Sequence, residues 1–133
     1  MNASRVLIDT SAWIHALRRA GAAETAAAVG EATTSGRAVL CDMILLELWN
    51  GATSEDDKET LRQLESGLEL LETSAEVWTR ARKMARQSRA AGVTVPATDL
   101  IIAACADHYE VELLHQDAHF DRLKSALGKK GSR

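Results

Sequence analysis

Cysteine, proline and aromatic residues are scarce in this 133-residue chain, which has two cysteines, one proline and 4% aromatic residues. Cys41 and Cys105 lie in apolar segments without a C-x-x-C partner, a pattern typical of buried thiols and not of a disulfide or a zinc site. No apolar run approaches the roughly 20 residues that a membrane helix needs. The first residues lack the ordered regions of a secretory signal, so we expect a cytoplasmic protein with no membrane partner.

The composition is typical of one globular domain, with 46% hydrophobic and 26% charged residues. A chain of this length buries roughly two-thirds of the surface that its unfolded form exposes. The net charge of -3 means that the whole chain weakly repels a polyanion, so any nucleic-acid binding must be local. We predict one domain at residues 1–127 and a basic, flexible tail at residues 128–133.

Short apolar segments alternate with helical segments along the chain. Strands are predicted at residues 5–8, 37–40, 68–71 and 111–115. Apolar strands separated by helices are typical of right-handed crossovers, which give an α/β sandwich with a mainly parallel sheet. Ligands of such sheets bind beyond the carboxyl ends of the strands, where the chain places Asp9 and Asp117.

Acidic residues at four positions are candidates for a functional site. Besides Asp9 and Asp117, Glu47 interrupts the apolar segment 43–49, where an unpaired buried carboxylate would be costly. Asp99 follows a break at the only proline. Helix N-capping is the simpler interpretation of Asp99 and of Asp117 when each is taken alone, and for Asp42 it is the preferred one.

Convergence of these four carboxylates would require a cation. Two like charges ~4 Å apart repel each other by about 4 kcal/mol at an effective dielectric constant of 20. Carboxylate oxygens suit Mg²⁺ or Mn²⁺, and such an ion can activate water for attack on a phosphodiester. The acidic constellation therefore predicts metal-dependent hydrolysis.

The same motifs, taken in order, resemble those of PIN-domain ribonucleases, in particular the VapC toxins of bacterial toxin-antitoxin pairs. They are the DTS sequence at residues 9–11, Glu47 in a helix closed by Gly51, TDLIIA at residues 98–103, and HQDAHFD at residues 115–121. The resemblance implies a PIN-like α/β/α sandwich. A fifth strand often follows the last helix in this family, but the glycine-rich basic end has no apolar residue to build one, so the choice between four and five strands stays open.

The resemblance also implies roles for individual residues. Asp9, Glu47, Asp99 and Asp117 would be the catalytic, metal-binding quartet for Mg²⁺ or Mn²⁺. Ser11 would position a metal-bound water or an acidic neighbour, and Asp121 would be an auxiliary acid. The activity would be that of an endoribonuclease toxin that leaves a 5′-phosphate and a 3′-hydroxyl, in a homodimer silenced by a VapB-like antitoxin.

Two further groups of residues have competing interpretations. His115 and His119 flank Asp117 and could lie at the rim of the site, but surface or core histidines are the favoured interpretation. Arg82, Arg86 and Arg89 fall on one side of a predicted helix. A solvated face is favoured for them, with guidance of an RNA backbone as the alternative.

Two other functions compete with the ribonuclease. A haloacid-dehalogenase-type phosphatase also has an aspartate after its first strand, but its motif needs a second aspartate where this chain has Ser11. A non-catalytic PIN-like module would only bind RNA or a protein, and the complete acidic quartet argues against this alternative.

Overall fold

The computed structural model describes residues 4–18 and 22–131, and side chains as far as residue 128. The elements in chain order are β1 (Val6–Ile8), α1 (Thr10–Leu17), α2 (Ala23–Thr34), β2 (Ala38–Cys41), α3 (Asp42–Gly51), α4 (Glu55–Gly67), β3 (Glu69–Leu71), α5 (Ala75–Ala90), α6 (Ala97–Tyr109), β4 (Glu112–Leu114) and α7 (Ala118–Gly131). They form two compact units, of which the first comprises Met1–Glu72 and Val111–Gln116, and the second comprises Thr73–Glu110 and Asp117–Arg133.

All four strands belong to the first unit and form one sheet in the order β3-β2-β1-β4. Every neighbouring pair is parallel. The predicted α/β class with a parallel four-stranded sheet is therefore confirmed. Within the ranges that the structure describes, there is no fifth strand.

The core of the first unit surrounds β1 and β2, whose residues are all buried. Leu7 and Ile8 are both 0% exposed, so side chains on both faces of β1 are covered. Continuous apolar runs are typical of such strands, because neither face meets water. Helix α1 packs against α2 and α3, and α3 also packs against β2.

The start of α3 differs from the sequence-based prediction. Cys41 is the N-cap residue, without a side-chain capping bond, and Asp42 is the first residue of the helix. The capping role predicted for Asp42 is therefore wrong, because β2 continues through Cys41 directly into the helix. Asp9 instead caps α1, since its side chain accepts a hydrogen bond from the backbone N of Ser11.

The second unit consists of α5, α6 and α7, and each of these helices packs against the other two. Val77, Ala81, Met84 and Ser88 form the buried face of α5 at helical spacing. Arg80, near the start of α5, pairs with Asp107, near the end of α6, at 2.6 Å. These two helices are therefore antiparallel, and the end of α5 lies beside the start of α6.

The last helix is longer than the sequence predicts. α7 runs to Gly131 and so includes residues expected in the tail, whereas Ser132 and Arg133 lie outside the described residues. The flexibility of the tail stays a prediction.

No helix in the described parts of the chain, α7 included, has both the length and the hydropathy to cross a membrane.

Candidate functional site

Asp9 lies at the carboxyl end of β1 in the first unit and is 3% exposed. Its Oδ2 atom accepts two hydrogen bonds from Ser11, from the backbone N at 3.0 Å and from Oγ at 2.6 Å. Among the described residues, its Oδ1 atom accepts no hydrogen bond. The side chain is therefore held through one carboxylate oxygen, and the other oxygen can bind a cation.

Ser11 connects the ends of two neighbouring strands. Its Oγ atom donates to Asp9 and accepts a hydrogen bond from the backbone N of Gln116 at 2.9 Å, just after β4. The backbone N of Asp9 donates to the carbonyl of Leu114 in β4 at 2.9 Å. The Gln116 side chain donates in turn to Thr25 Oγ1 at 2.6 Å. Ser11 thus orients Asp9 against a fixed part of the sheet.

Glu47 lies on α3 and is held by Thr10, a residue that was not among the predicted site residues. Thr10 Oγ1 donates to Glu47 Oε1 at 2.6 Å, and no hydrogen bond to Oε2 is found among the described residues. Thr10 stands between Asp9 and Ser11 in the sequence, so its place in that motif was the available signal. The first unit therefore links Glu47 to the same strand end as Asp9.

A cleft of about 300 Å³ in the first unit has Glu47 and Thr10 in its wall. The remaining wall is apolar, acidic and basic, and it includes Ile14, Leu17, Arg18, Leu48, Asp56, Asp57, Thr60 and Leu61. The pKa of Asp57 is lowered, mainly because the backbone N–H groups of Thr53 and Ser54 donate hydrogen bonds to its carboxylate. The surroundings of Glu47 therefore include two further carboxylates and the positive charge of Arg18.

In the second unit, Asp99 and Asp117 meet at one histidine. His119 Nδ1 lies 3.0 Å from Asp99 Oδ2 and 3.2 Å from Asp117 Oδ1. Asp117 Oδ1 also accepts the backbone N–H of His119 at 2.8 Å. Asp99 is 7% exposed, and it lies in the first turn of α6, where the helix dipole favours a carboxylate.

The capping interpretations have different outcomes for these two aspartates. Pro96 is the N-cap residue of α6, so Asp99 is not the cap. Asp117 does accept a capping-type bond from the start of α7, from the same oxygen that faces His119. A capping bond and a place in the cluster are therefore compatible for Asp117.

His119 was interpreted from sequence as a surface or core histidine, but the structure places it between the two aspartates. The available signal was its position two residues after Asp117. Asp121 is exposed in the first turn of α7, and Arg82, Arg86 and Arg89 are exposed on α5. The roles predicted for these four residues stay predictions.

The donor set of the second unit fits a divalent metal ion. One ligand atom from each of Asp99, Asp117 and His119 lies within 4.8 Å of the others. Carboxylate oxygens suit Mg²⁺ or Mn²⁺, and an imidazole nitrogen is compatible with Mn²⁺ and other transition metals. Two residues of the predicted quartet thus lie in the first unit and two in the second. Binding of a single ion by all four stays a prediction.

Most of this chain matches a family model and a relative of known name. The family model described as "PIN domain" matches residues 6–126. Ribonuclease VapC11 of Mycobacterium tuberculosis is 35% identical over 121 residues, which cover 87% of this chain and 89% of that protein.

Solved structures share the fold. VapBC2 from Rickettsia felis, bound to a DNA fragment from its promoter, matches with a TM-score of 0.72 and 17% identity over 88% of this chain and 91% of that chain. A toxin-antitoxin complex from Klebsiella pneumoniae matches with a TM-score of 0.66 and 18% identity over 85% and 87% of the two chains.

Proposed function

Because this chain belongs to the PIN domain family, we propose that it is a metal-dependent endoribonuclease, the toxin of a VapBC-type toxin-antitoxin pair. The observation that carries the proposal is the meeting of Asp99, Asp117 and His119 with ligand atoms within 4.8 Å of one another. A relative that is 35% identical over most of both chains is named a ribonuclease, which supports RNA as the substrate.

The proposed metal site is the quartet of Asp9, Glu47, Asp99 and Asp117, and the proposed ion is Mg²⁺ or Mn²⁺. When bound, this ion supplies a water of lowered pKa and stabilises negative charge on the phosphodiester during in-line displacement. The four carboxylates would hold the ion, and hydrolysis would leave a 5′-phosphate and a 3′-hydroxyl.

Neighbouring side chains keep these carboxylates in place. Ser11 fixes one oxygen of Asp9, and Thr10 fixes one oxygen of Glu47. His119 Nδ1 contacts Asp99 and Asp117, and the backbone N–H of His119 donates to one oxygen of Asp117. Such orientation matters because the partners of metal ligands fix the geometry in which the ligands bind. Asp121 is proposed as an auxiliary acid near the start of α7.

The proposed partner is a VapB-like antitoxin, and the proposed assembly is a homodimer. The match to a structure described as a toxin-antitoxin complex supports the antitoxin. Binding of the antitoxin would keep the ribonuclease silent until the antitoxin is removed.

The central test is Asp9→Asn, which keeps the shape of the side chain and removes its charge. We expect the variant to lose metal-dependent cleavage of RNA, because a neutral amide binds Mg²⁺ or Mn²⁺ far more weakly than a carboxylate. The measurement is cleavage of a labelled RNA by purified protein with Mn²⁺ and with EDTA. Circular dichroism checks that the variant is folded.

Asp42→Asn is the matched control, because Asp42 is also an acidic residue at a helix start but is exposed and not part of the quartet. It should cleave RNA at the wild-type rate. Metal-dependent cleavage by the pure Asp9→Asn protein would refute the assignment.

A further inference from the structure

A shallow, open basic groove lies between side chains on the exposed face of α5 in the second unit, and all of its lining residues belong to that helix. Three cationic side chains, Arg82, Lys83 and Arg86, line it. The remaining walls come from Thr79, Gln87 and Ala90, so that no acidic residue contributes. The groove therefore concentrates positive charge in a chain whose net charge is -3.

These three cations lack acidic partners within the described part of the chain. Other basic residues do have them, and Arg80 on the same helix pairs with Asp107 at 2.6 Å. Arg82 instead donates to Thr79 Oγ1 at 3.2 Å, which holds its guanidinium beside the groove. Like charges one turn apart on a helix repel each other, and a bound polyanion would relieve that repulsion.

The groove extends toward the end of the second unit that holds the acidic cluster. The pair between Arg80 and Asp107 shows that α5 and α6 are antiparallel, so the last turns of α5 lie beside the first turn of α6. Arg86 is near the end of α5, and Asp99 is in the first turn of α6. The groove lies on the side of α5 opposite its buried face. A strand bound along it would therefore reach the end of α5 that lies beside the first turn of α6.

We propose that Arg82, Lys83 and Arg86 bind the phosphates of single-stranded RNA and that they supply sequence-independent affinity. The inference rests on the proposed ribonuclease function. Arg82 and Arg86 are ~6 Å apart along the helix axis, which is close to two phosphate steps of a stacked strand at ~3.4 Å each. Lys83 replaces Arg89 in the set suggested by the sequence, because Lys83 lines the groove together with the two arginines.

The test measures RNA binding separately from cleavage. A fluorescein-labelled single-stranded RNA of about 20 nucleotides is titrated with the full-length protein in EDTA, and anisotropy gives Kd over a series of NaCl concentrations. In Arg82→Gln/Lys83→Gln/Arg86→Gln we expect Kd to rise roughly tenfold to a hundredfold near 0.1 M salt. The slope of log K against log[salt] should become shallower by about 2, since each phosphate contact contributes ~0.7.

A matched control removes the same charge where the cations have acidic partners. Arg5, Lys58 and Arg62 pair with Glu69, Glu55 and Glu59, and their triple change to Gln should leave the salt slope nearly unchanged. Arg82→Lys/Arg86→Lys keeps the charge of the groove and should keep most of the affinity. Circular dichroism checks that all variants are folded.

Either of two outcomes would contradict the proposal that the groove binds RNA. They are a wild-type Kd and salt slope in the groove variant, or an equal loss of affinity in the control triple. Failure of the ribonuclease function looks different. Wild-type protein would then cleave no RNA with Mn²⁺, whereas a higher Kd for RNA in the groove variant would still support RNA binding by the groove.

Discussion

Two hydroxyl side chains, Thr10 and Ser11, each donate to a carboxylate that the sequence singles out. Thr10 donates to Glu47 and Ser11 donates to Asp9, both at 2.6 Å. In each case the bond engages one carboxylate oxygen, and the second oxygen has no hydrogen-bond partner among the described residues. Each hydroxyl therefore restricts the orientation of a carboxylate without occupying all of its acceptor sites.

Ser11→Ala tests this orienting role. The change removes the bond to Asp9 and the acceptor for the backbone N of Gln116. We expect the affinity for Mn²⁺ to fall roughly tenfold to a hundredfold, which is the usual cost of removing the partner of a metal ligand. Calorimetric titration with Mn²⁺ measures it.

Ser11→Thr is the conservative control, because a threonine retains the hydroxyl and should recover most of the affinity. A merely structural role would lower stability and leave the affinity of the folded protein unchanged. Unchanged Mn²⁺ affinity in Ser11→Ala would therefore contradict the orienting role.

Side-chain identities could be predicted better than side-chain partners. Asp9 and Glu47 stand out because a carboxylate in or beside an apolar segment needs a compensating partner. The contacts of His119 with Asp99 and Asp117 could not be predicted in the same way. They depend on how the first turns of α6 and α7 meet, and the apolar periodicity of each helix does not determine that.

Among the elements, the predicted bounds of the strands agree with the structure within one or two residues, whereas the predicted N-cap residue of α3 does not. β1 and β2 are continuous apolar runs, and burial of every residue makes such runs easy to recognise. Cys41 takes the N-cap position of α3 because its backbone is extended, at φ -133° and ψ 164°. Backbone conformation at the junction therefore excluded Asp42 from the capping role that its residue type favours.

Helix α4 has a capping box whose contribution to stability should depend on pH. Ser54 Oγ accepts from the backbone N of Asp57, and the Asp57 carboxylate accepts from the backbone N of Thr53 at 3.2 Å and of Ser54 at 3.4 Å. These backbone hydrogen bonds lower the pKa of Asp57 below the ordinary value of 3.8. A lowered pKa in the folded state means that the ionised carboxylate stabilises the fold at neutral pH.

Asp57→Asn should therefore unfold more easily than the wild type at pH 7. Because the pKa is lowered on folding, the advantage of Asp57 is complete above its ordinary, unfolded-state pKa of 3.8 and is lost as the pH falls through its folded-state pKa. Urea unfolding followed by circular dichroism at pH 7, 4 and 3 measures this difference. Asp56→Asn is the control in the same helical turn, and a difference for Asp57→Asn that does not change with pH would contradict the assignment.

At the scale of the whole molecule, the chain passes between its two units more than once. It leaves the first unit after Glu72, returns at Val111 for β4, and leaves again after Gln116. The PIN domain match spans residues 6–126 and so draws on both units. The proposed quartet likewise takes Asp9 and Glu47 from the first unit, and Asp99 and Asp117 from the second.

Metal-dependent stability tests whether the quartet acts as one site. An ion that binds only the folded protein stabilises it by about 2.7 kcal/mol at 100 times its Kd, which corresponds to a rise in Tm of about 10 °C for a domain of this size. If four carboxylates hold one ion, Glu47→Gln should reduce the rise in Tm with Mn²⁺ about as much as Asp99→Asn does. Differential scanning calorimetry with and without Mn²⁺ measures the rise.

Asp42→Asn is the control, and it should show the full rise in Tm because it keeps all four proposed ligands. A full rise in Glu47→Gln combined with its loss in Asp99→Asn would assign the ion to Asp99, Asp117 and His119 alone. Glu47 would then have to act on RNA or on a partner, and not on the metal.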